Sequence, residues 1–351
     1  MTPQKILCVG GGTAGSMIPL VSLLQWRARL NPNTPVEVFW IGTKKNLEEN
    51  YLPNNLKGYA SISTSKLHRH WDWRNALLPF TLSVAFVQSL WHCLCIRPDV
   101  VWTAGGFTAV PVAWAARLLG ISVVSIQQDI ERGLANRFIE RVATSRYTTI
   151  PPSVFPTGTY TAYQYIGLLT RFSSTRSQPK ANSTALPVVL ILGGSSGAHA
   201  LNTIVWKSLP YFENSIEMIH SVGPHAQVPN NLPKWYHAQN VIINELEESY
   251  QRATVVVSRC GMNVIAECAV FAKSVIVVPL PNTHQEVNAL WLQQQGAVQT
   301  LHQQSLTPEQ FAQAILALLK DTNKQQQLSK TLHTLLPQAT QASVKKVFKH
   351  K

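Results

Sequence analysis

Acidic residues are scarce in this 351-residue sequence: 17 Asp and Glu stand against 30 Lys and Arg, for a net charge of +13. Such a positive field favours anionic partners, namely phosphorylated molecules, acidic lipid or nucleic acid. The sequence has no RNA-binding motif and no Lys/Arg tract, which disfavours nucleic acid. A phosphorylated substrate and an acidic membrane surface are therefore the expected partners.

Cysteine is also rare, and the spacing of the cysteines indicates neither a redox pair nor a metal site. The five cysteines form no C-x-x-C pair, and no cluster of His, Cys, Asp and Glu has the spacing of metal ligands. We predict reduced thiols, as in a cytosolic protein, and neither a metal site nor a cofactor. No motif indicates an oligomeric state.

Long hydrophobic runs are missing as well. No stretch offers the ~20 uninterrupted apolar residues of a membrane-spanning helix. The nearest, residues 76–96, contains Pro79, Gln88 and His92, and is better interpreted as a helix with an unusually apolar surface. Residues 1–5 lack a signal-peptide pattern and lead directly into a predicted strand.

One local pattern occurs twice. A short apolar run precedes the glycine-rich residues 10–15, and another precedes residues 193–198. Each run is typical of a buried strand, and each is followed by a predicted helix. Glycines allow close backbone approach, and the amides of the new helix face the turn, a geometry that suits phosphate. The two copies predict two Rossmann-like domains around a cleft.

Strands and helices alternate along both halves, which predicts parallel sheets covered on both faces. A Ser-, Thr- and Pro-rich linker is expected at 173–185, and helices from Thr307 onward. Further strands are expected at 36–42, 99–102, 121–126, 216–220, 241–243, 254–257 and 274–279.

Ligands of open parallel sheets bind beyond the carboxyl ends of the strands, where three segments carry suitable chemistry. Residues 193–197 could hold a diphosphate or form only a tight turn. Glu267 could bind ribose hydroxyls or be a solvated helix residue. His284 and Gln285 could bind a sugar or cap a helix.

Together these segments resemble the MurG-like glycosyltransferases over nearly the whole chain, as a divergent member. The order of the motifs is also that of the family. The matching segments are 11–15, 105–111, 133–137, 193–198 with Leu201-Asn202, Arg259-Cys260-Gly261 with Glu267, His284-Gln285 and Asn288-Ala289.

The resemblance implies an α/β fold of GT-B type, with two Rossmann-like domains facing a cleft. The expected domains are 1–167 on the acceptor and membrane side and 168–335 for the UDP-sugar, with helix 336–351 packing back on the first. The implied reaction is inverting and metal-independent. It transfers N-acetylglucosamine from UDP-N-acetylglucosamine to the undecaprenyl-diphosphate-linked muramyl pentapeptide, converting lipid I to lipid II in peptidoglycan synthesis.

The resemblance also assigns roles to individual residues. The donor set comprises Thr13, Ala14, Gly15, Arg171, Ser195, Ser196, Gly197, Arg259, Glu267, His284 and Gln285. In this set Ser195 and Ser196 would hold the diphosphate and Glu267 the ribose. The acceptor side comprises Gly105, Gly106, Phe107 and Asn136.

Members of this family touch the inner membrane leaflet through an apolar patch with basic surroundings. The resemblance therefore implies a peripheral protein at the cytoplasmic face of the cell membrane. The expected membrane contacts are Phe80, Leu82, Phe86 and Trp91, near Leu90 and the basic residues Lys66, Arg69 and Arg74. Ordinary core packing is the alternative for this apolar stripe.

The sequence differs from the family pattern at the positions where the family has candidate catalytic bases. The family has a histidine where this chain has Ser16, and His-Glu-Gln-Asn where this chain has Ile126-Gln127-Gln128-Asp129. Because neither serine nor glutamine is an effective general base, Asp129 or Glu131 is the candidate base. Two alternatives stay open: a UDP-sugar transferase with a different lipid-linked acceptor, and a non-catalytic nucleotide-sugar-binding protein.

Overall fold

The structure is a computed structural model that describes residues 3–43, 51–64, 78–155, 162–172, 186–194, 197–242 and 245–349. The chain forms two compact units. Unit 1 comprises Met1–Arg171 together with Ala339–Lys351, and unit 2 comprises Phe172–Gln338.

Unit 1 is built on a sheet whose seven described strands are all parallel. The strands are β1 (Gln4–Val9), β2 (Val36–Gly42), β3 (Gly58–Ser61), β4 (Val100–Thr103), β5 (Ser122–Gln127), β6 (Ser145–Thr148) and β7 (Gln164–Tyr165). Their order is β3-β2-β1-β4-β5-β6-β7, so the direction of strand addition reverses between β1 and β4. This reversal is the position where doubly wound folds bind ligands.

Helices cover both faces of this sheet. The helices of the first part of the chain are α1 (Ile18–Leu30), α2 (Leu78–Ile96), α3 (Ala109–Leu118) and α4 (Leu134–Glu140). Helix α1 packs on the face formed by Ile6, Cys8 and Trp40. Helices α2, α3 and α4 bury Ala85, Val112 and Ile139 on the opposite face, against alternate residues of the same strands.

Unit 2 repeats this architecture with six described strands. They are β8 (Val188–Leu192), β9 (Glu217–Ser221), β10 (Tyr236–Gln239), β11 (Ala253–Ser258), β12 (Ser274–Val277) and β13 (Gln299–Thr300). The order is β10-β9-β8-β11-β12-β13, all parallel, with the reversal between β8 and β11. The helices are α5 (His199–Ser208), α6 (Leu246–Arg252), α7 (Met262–Val270), α8 (His284–Gln294), α9 (Pro308–Lys320) and α10 (Thr322–Leu335).

The last helix, α11 (Gln341–Val347), belongs to unit 1. Its residues Val344 and Val347 are buried beside α1 in the core of that unit. The Tyr147 hydroxyl donates to the Lys346 carbonyl at 2.9 Å, and Phe348 stacks on Trp102 with ring centroids 5.6 Å apart. Further long-range hydrogen bonds join the Ser343 hydroxyl to the Ile166 carbonyl at 2.6 Å and the Ala339 amide to the Leu168 carbonyl at 2.9 Å, so packing and hydrogen bonds hold the chain end on the first sheet.

Two parallel sheets with interleaved helices confirm the predicted fold class. The prediction of a strand at 241–243 is wrong for residues 241–242, which form no strand. The edge strand of this sheet is β10, which begins five residues before the predicted one. Tyr236 packs in the core whereas His237 is exposed, so β10 alternates in polarity. The buried strands of the sheet are instead continuously apolar, and this is the pattern on which the strand predictions rest.

Candidate functional site

The glycine-rich turn of unit 2 follows β8 at the strand reversal. The Gly194 carbonyl accepts from the Gly197 amide at 3.1 Å, which closes the turn. Gly197 has φ +76°, and a Cβ there would lie 3.1 Å from the Val222 carbonyl oxygen, so only glycine fits. The Asn202 side chain donates to the same Val222 oxygen at 2.8 Å and ties α5 to the next loop. The predicted diphosphate ligands Ser195 and Ser196 lie outside the described residues.

The helices that begin at this reversal lack side-chain caps. The N-cap residues of α5 and α7 are Ala198 and Gly261, and neither makes a side-chain hydrogen bond to the first turn. Side chains cap α8, α9, α10 and α11, whereas α1, α3, α4 and α6 also lack such a cap, so α5 and α7 are distinguished by their position at the strand reversal. A helix N-terminus presents amide donors and a positive dipole end, and both attract an anion when no side chain satisfies them. Two such ends flank the same reversal.

Arg259 and Cys260 form the loop between β11 and α7. Arg259 is buried, donates to the Val278 carbonyl at 3.2 Å, and also donates to the Gln303 side chain. Burial lowers the pKa of Arg259 to about 10, so the guanidinium remains charged at neutral pH. Cys260 has φ +62°, a conformation that non-glycine residues rarely adopt. Such local strain is frequent at functional loops.

Glu267 lies on α7 and is 2% exposed. Its Oε2 accepts from the Tyr250 hydroxyl at 2.8 Å, and the Tyr250 ring stacks on Phe271 with centroids 5.1 Å apart. The alternative of a solvated helix glutamate is therefore wrong. Tyr250 was not predicted, and its only signal in the sequence is an aromatic residue in the helix before β11. The ribose role of Glu267 stays a prediction.

The predicted sugar ligands stand at the start of α8. The helix is capped by Thr283, whose Oγ1 accepts from the Gln285 amide at 3.3 Å, so capping does not explain His284 or Gln285. The Gln285 Oε1 accepts from the Leu280 amide at 2.9 Å and shapes the preceding loop. Asn288, one turn further on, is buried and donates to the Cys260 carbonyl at 3.4 Å. This contact joins the loop after β11 to helix α8.

In unit 1, a residue of β2 forms a hydrogen bond to the first glycine-rich loop. The Trp40 indole N–H donates to the Gly10 carbonyl at 2.8 Å, and both groups are buried. Ser16, at the position of the family's histidine, is buried, with its hydroxyl 3.4 Å from the Thr13 carbonyl. The residues Ala14–Ser16 form a 3₁₀ turn.

The loops after β1 and β4 touch each other. A Cβ on Gly106 would lie 3.6 Å from the Ser16 hydroxyl, and one on Gly12 would lie 3.0 Å from the Phe107 ring. The structure therefore brings the predicted acceptor-side residues next to the first loop. Arg171, placed in the donor set, lies over the Tyr51 ring at 5.6 Å, a cation–π contact within unit 1.

The loop after β5 contains the two candidate bases. Asp129 is half-buried and Glu131 is exposed. The Gln127 side chain contacts the carbonyls of both residues, and Asn136 donates to Gln127. Asn136 also lies against Gly105 in the loop after β4, so the loops after β1, β4 and β5 are connected and their residues form one candidate acceptor site.

Helix α2 has an exposed apolar face. Phe80 is 70% exposed and Trp91 is 67% exposed, whereas Leu82 and Phe86 are half-buried. Core packing is therefore not the explanation for Phe80 and Trp91. The basic residues Lys66, Arg69 and Arg74, predicted to border this face, lie outside the described residues.

Among the described helices, Pro79–Ile96 is long and apolar enough to cross a membrane by length and composition alone. The window includes Gln88 and His92, and its mostly exposed side chains agree with the prediction of a helix with an unusually apolar surface. Pro79 stands in the first turn, where proline is tolerated, and Gln88 accepts from the Ser63 amide at 2.8 Å on the inner side. Ser83 on the outer face bonds back to the Pro79 carbonyl at 2.9 Å, so its hydroxyl is satisfied within the helix.

The neighbouring helices α3 and α4 also carry exposed apolar side chains and positive charge. Helix α3 packs against both α2 and α4, and further exposed apolar side chains are Trp114, Leu118, Leu134 and Phe138. Beside α4 lies a cavity of about 500 Å³ lined by Arg132, Arg137, Glu140, Arg141 and Arg146. Arg141 lies over the Phe138 ring at 5.2 Å, so the positive charge borders the apolar surface.

The comparisons with known proteins identify the family. Residues 6–148 match the glycosyltransferase family 28 N-terminal domain, and residues 188–346 match the C-terminal domain of the same family. The chain belongs to glycosyltransferase family 28, as a MurG-like protein of GT-B fold. The predicted resemblance is thereby confirmed.

Curated relatives cover most of this chain. UDP-N-acetylglucosamine--N-acetylmuramyl-(pentapeptide) pyrophosphoryl-undecaprenol N-acetylglucosamine transferase 3 of Bacillus cereus is 31% identical, over 92% of this chain and 91% of the relative. Transferase 1 of the same name from Bacillus thuringiensis is 32% identical with the same coverage. The crystal structure of Acinetobacter baumannii MurG has a TM-score of 0.71 at 23% identity, covering 99% of this chain and 100% of that one, which supports the fold.

Proposed function

We propose that this chain transfers N-acetylglucosamine from UDP-N-acetylglucosamine to an undecaprenyl-diphosphate-linked muramyl pentapeptide. The observation that carries the proposal is the pair of uncapped helix N-termini at the strand reversal of unit 2. That pair suits a nucleoside diphosphate, and relatives at 31% and 32% identity bear the name of this transferase.

The donor is assigned to unit 2. The diphosphate faces the amides at the start of α5 and α7, and the Glu267 carboxylate, positioned by Tyr250, accepts the ribose hydroxyls. His284 and Gln285 at the start of α8 contact the sugar. The buried Arg259 cation adds positive potential under the loop that precedes α7.

The reaction is a single displacement with inversion, and it requires no metal. The acceptor hydroxyl oxygen forms a bond to the anomeric carbon while the bond from that carbon to the diphosphate oxygen breaks. Asp129 takes the hydroxyl proton, with Glu131 as the second candidate base. The negative charge that develops on UDP is stabilised by the helix N-termini, each worth about 0.3–1 kcal/mol for an exposed anion and more in a dry site.

The acceptor lipid requires contact with a membrane, and we assign that contact to the α2–α3–α4 face. Its exposed residues include Phe80, Trp91 and Trp114, bordered by the arginine-lined cavity beside α4. Each basic residue near an anionic leaflet contributes about 1 kcal/mol of binding. The chain is then a peripheral protein of the cytoplasmic membrane face.

Sugar transfer is tested directly with radiolabelled UDP-N-acetylglucosamine and membrane lipid extract. We expect label in the muramyl-pentapeptide lipid, and we expect Glu267→Ala to reduce transfer by at least tenfold through a higher KM for the donor. Glu309→Ala is the matched control, because Glu309 is a first-turn glutamate of α9 outside the proposed site. Label in a different lipid would contradict the acceptor, and tight UDP binding without any transfer would contradict the enzyme assignment.

Membrane contact is tested by sedimentation with vesicles that contain phosphatidylglycerol. The double variant Phe80→Ser with Trp91→Ser should release most of the bound protein, because it removes two large exposed apolar side chains. Tyr211→Ser is the control, since Tyr211 is exposed in unit 2. Equal sedimentation of the double variant and the control would contradict this assignment.

A further inference from the structure

Phe172 is the first residue of unit 2, where the chain crosses over from unit 1. It belongs to no described helix or strand, and its side chain is half-buried. Its ring meets the Tyr250 ring edge-on, with centroids 6.1 Å apart, and lies 5.3 Å from the Phe271 ring. Because Tyr250 also stacks on Phe271, these three residues form one group, here called the aromatic cluster.

The aromatic cluster surrounds the residue that holds Glu267. Phe271 directly follows α7, and its amide donates to the Glu267 carbonyl at 3.0 Å, so the two side chains leave the same side of the helix. Tyr250 contacts both of them, since its hydroxyl donates to Glu267 Oε2 at 2.8 Å and its ring stacks on Phe271. A movement of the Tyr250 ring would therefore displace the donor on the carboxylate.

Two neighbouring rings restrain Tyr250 from different directions. The Phe271 ring is nearly parallel to it, at an interplanar angle of 10°, and the Phe172 ring stands at 69°. A single parallel neighbour restrains the tilt of a ring but lets it slide in its own plane, whereas a second ring at a steep angle also blocks that sliding. A hydrogen bond to a carboxylate is short and sensitive to direction, so a ring that slides weakens it.

The backbone of Phe172 is held independently of α6 and α7. Its carbonyl accepts from the Gln338 side-chain amide at 2.9 Å, and Gln338 is the last residue of unit 2 before the chain returns to unit 1. The next residue, Ala339, donates its amide to the Leu168 carbonyl at 2.9 Å within unit 1. The two places where the chain crosses between the units thus provide a fixed support for the Phe172 ring.

We propose that Phe172 is a positioning residue for donor binding, whose ring keeps the Tyr250 hydroxyl on Glu267 and so holds the carboxylate in place for the ribose hydroxyls. The proposal rests on the proposed function, in which Glu267 accepts those hydroxyls. Phe172 acts through Tyr250 and not by contact with the nucleotide. Its contribution therefore concerns the ribose and leaves the diphosphate site at α5 and α7 unchanged.

The test compares two ligands by calorimetry: UDP and 2′,3′-dideoxyuridine diphosphate, which lacks both ribose hydroxyls. Wild type should bind UDP at least about tenfold more tightly, because hydrogen bonds to a carboxylate are strong. In Phe172→Leu, which keeps an apolar side chain but removes the ring, this preference should fall about fivefold, with the affinity for the dideoxy ligand within about twofold of wild type. Because both ligands are measured on the same preparation, a partly unfolded sample does not change their ratio.

Phe212→Leu is the matched control. Phe212 is buried in unit 2, and its ring meets the Trp235 ring in the same geometry, with centroids 6.1 Å apart and planes at 69°. This variant loses an equivalent aromatic contact away from Glu267, so it should lose stability and keep the wild-type preference for UDP. Phe172→Tyr retains the ring and should keep that preference as well.

A double variant tests whether Phe172 acts through Tyr250. Tyr250→Phe already lacks the hydroxyl that Phe172 positions, so adding Phe172→Leu should leave the preference for UDP where Tyr250→Phe has set it. The positioning role would be overturned by a further fall in this background, by a wild-type preference in Phe172→Leu, or by an equal fall in Phe172→Tyr or Phe212→Leu.

The same measurements separate this proposal from the proposed function. A wild type that binds both ligands equally well would refute the ribose role of Glu267 and, with it, the positioning role. If the preference behaves as expected in every variant but wild type transfers no sugar, the positioning role is established and the proposed function is refuted.

Discussion

Protonation of the buried His220 should destabilise unit 2 as the pH falls. His220 lies on β9, and its Nδ1 is 2.8 Å from the Tyr236 hydroxyl, which also accepts from the Trp206 indole N–H at 2.8 Å. The tyrosine oxygen can accept from the indole and still either donate to Nδ1 or accept from it, so both neutral tautomers of the imidazole fit these contacts. Within the described residues, Nε2 has no hydrogen-bond partner.

Burial lowers the pKa of His220 from 6.5 to about 3. Between about pH 6.5 and pH 3 the unfolded chain therefore binds a proton at this residue and the folded chain does not, so stability is lost as the pH falls through this range. Between pH 7.5 and 4.5 the loss from this one group is about 2.7 kcal/mol, at 1.36 kcal/mol per pH unit over about two units.

Urea unfolding of wild type and His220→Asn across this pH range isolates the contribution. The variant keeps an acceptor near the Nδ1 position but does not titrate, so its disadvantage relative to wild type should shrink by about 2.7 kcal/mol between pH 7.5 and 4.5. If the difference in unfolding free energy between wild type and variant stays constant with pH, the argument that the buried imidazole is neutral and has a lowered pKa is refuted.

Three further substitutions test other contacts. Tyr250→Phe removes the hydroxyl that donates to Glu267, and calorimetry should show about tenfold weaker UDP binding. A variant that binds UDP as tightly as wild type would contradict a role of this hydrogen bond in donor binding. Gly105→Ala places a Cβ 2.0 Å from Asn136 Oδ1 at φ +94°, which should cost about 2 kcal/mol in urea unfolding, and an unshifted curve would contradict the packing. Asp129→Asn should lower turnover about a hundredfold in the transfer assay, and near-normal turnover would remove Asp129 as the base.

The sequence predicts the central strands well because they are buried on both faces. The apolar run before residue 193 is predicted as a strand and forms β8, Val188–Leu192, whose five residues are all buried. The edge strand β10 is not predicted because one of its faces meets solvent and its residues alternate in polarity. Periodicity also cannot show what covers a helix, so the exposure of Phe80 on α2 required the fold.

The site was predictable only where its residues are adjacent in sequence. The glycine-rich turns mark the strand ends by themselves, whereas the side-chain partnerships join distant residues. Tyr250 reaches Glu267 across 17 positions, and Arg259 meets Gln303 across 44. No local pattern encodes such pairs, since they form only when the sheet brings its loops to one edge.

A crystal structure of the protein with UDP would test the donor site without intermediate assumptions. We expect the diphosphate at the first-turn amides of α5 and α7, with the ribose hydroxyls on the Glu267 carboxylate. A position beyond β8 that stays empty at saturating UDP, or that is filled by the protein's own side chains, would contradict the assignment of this chain as a UDP-sugar transferase.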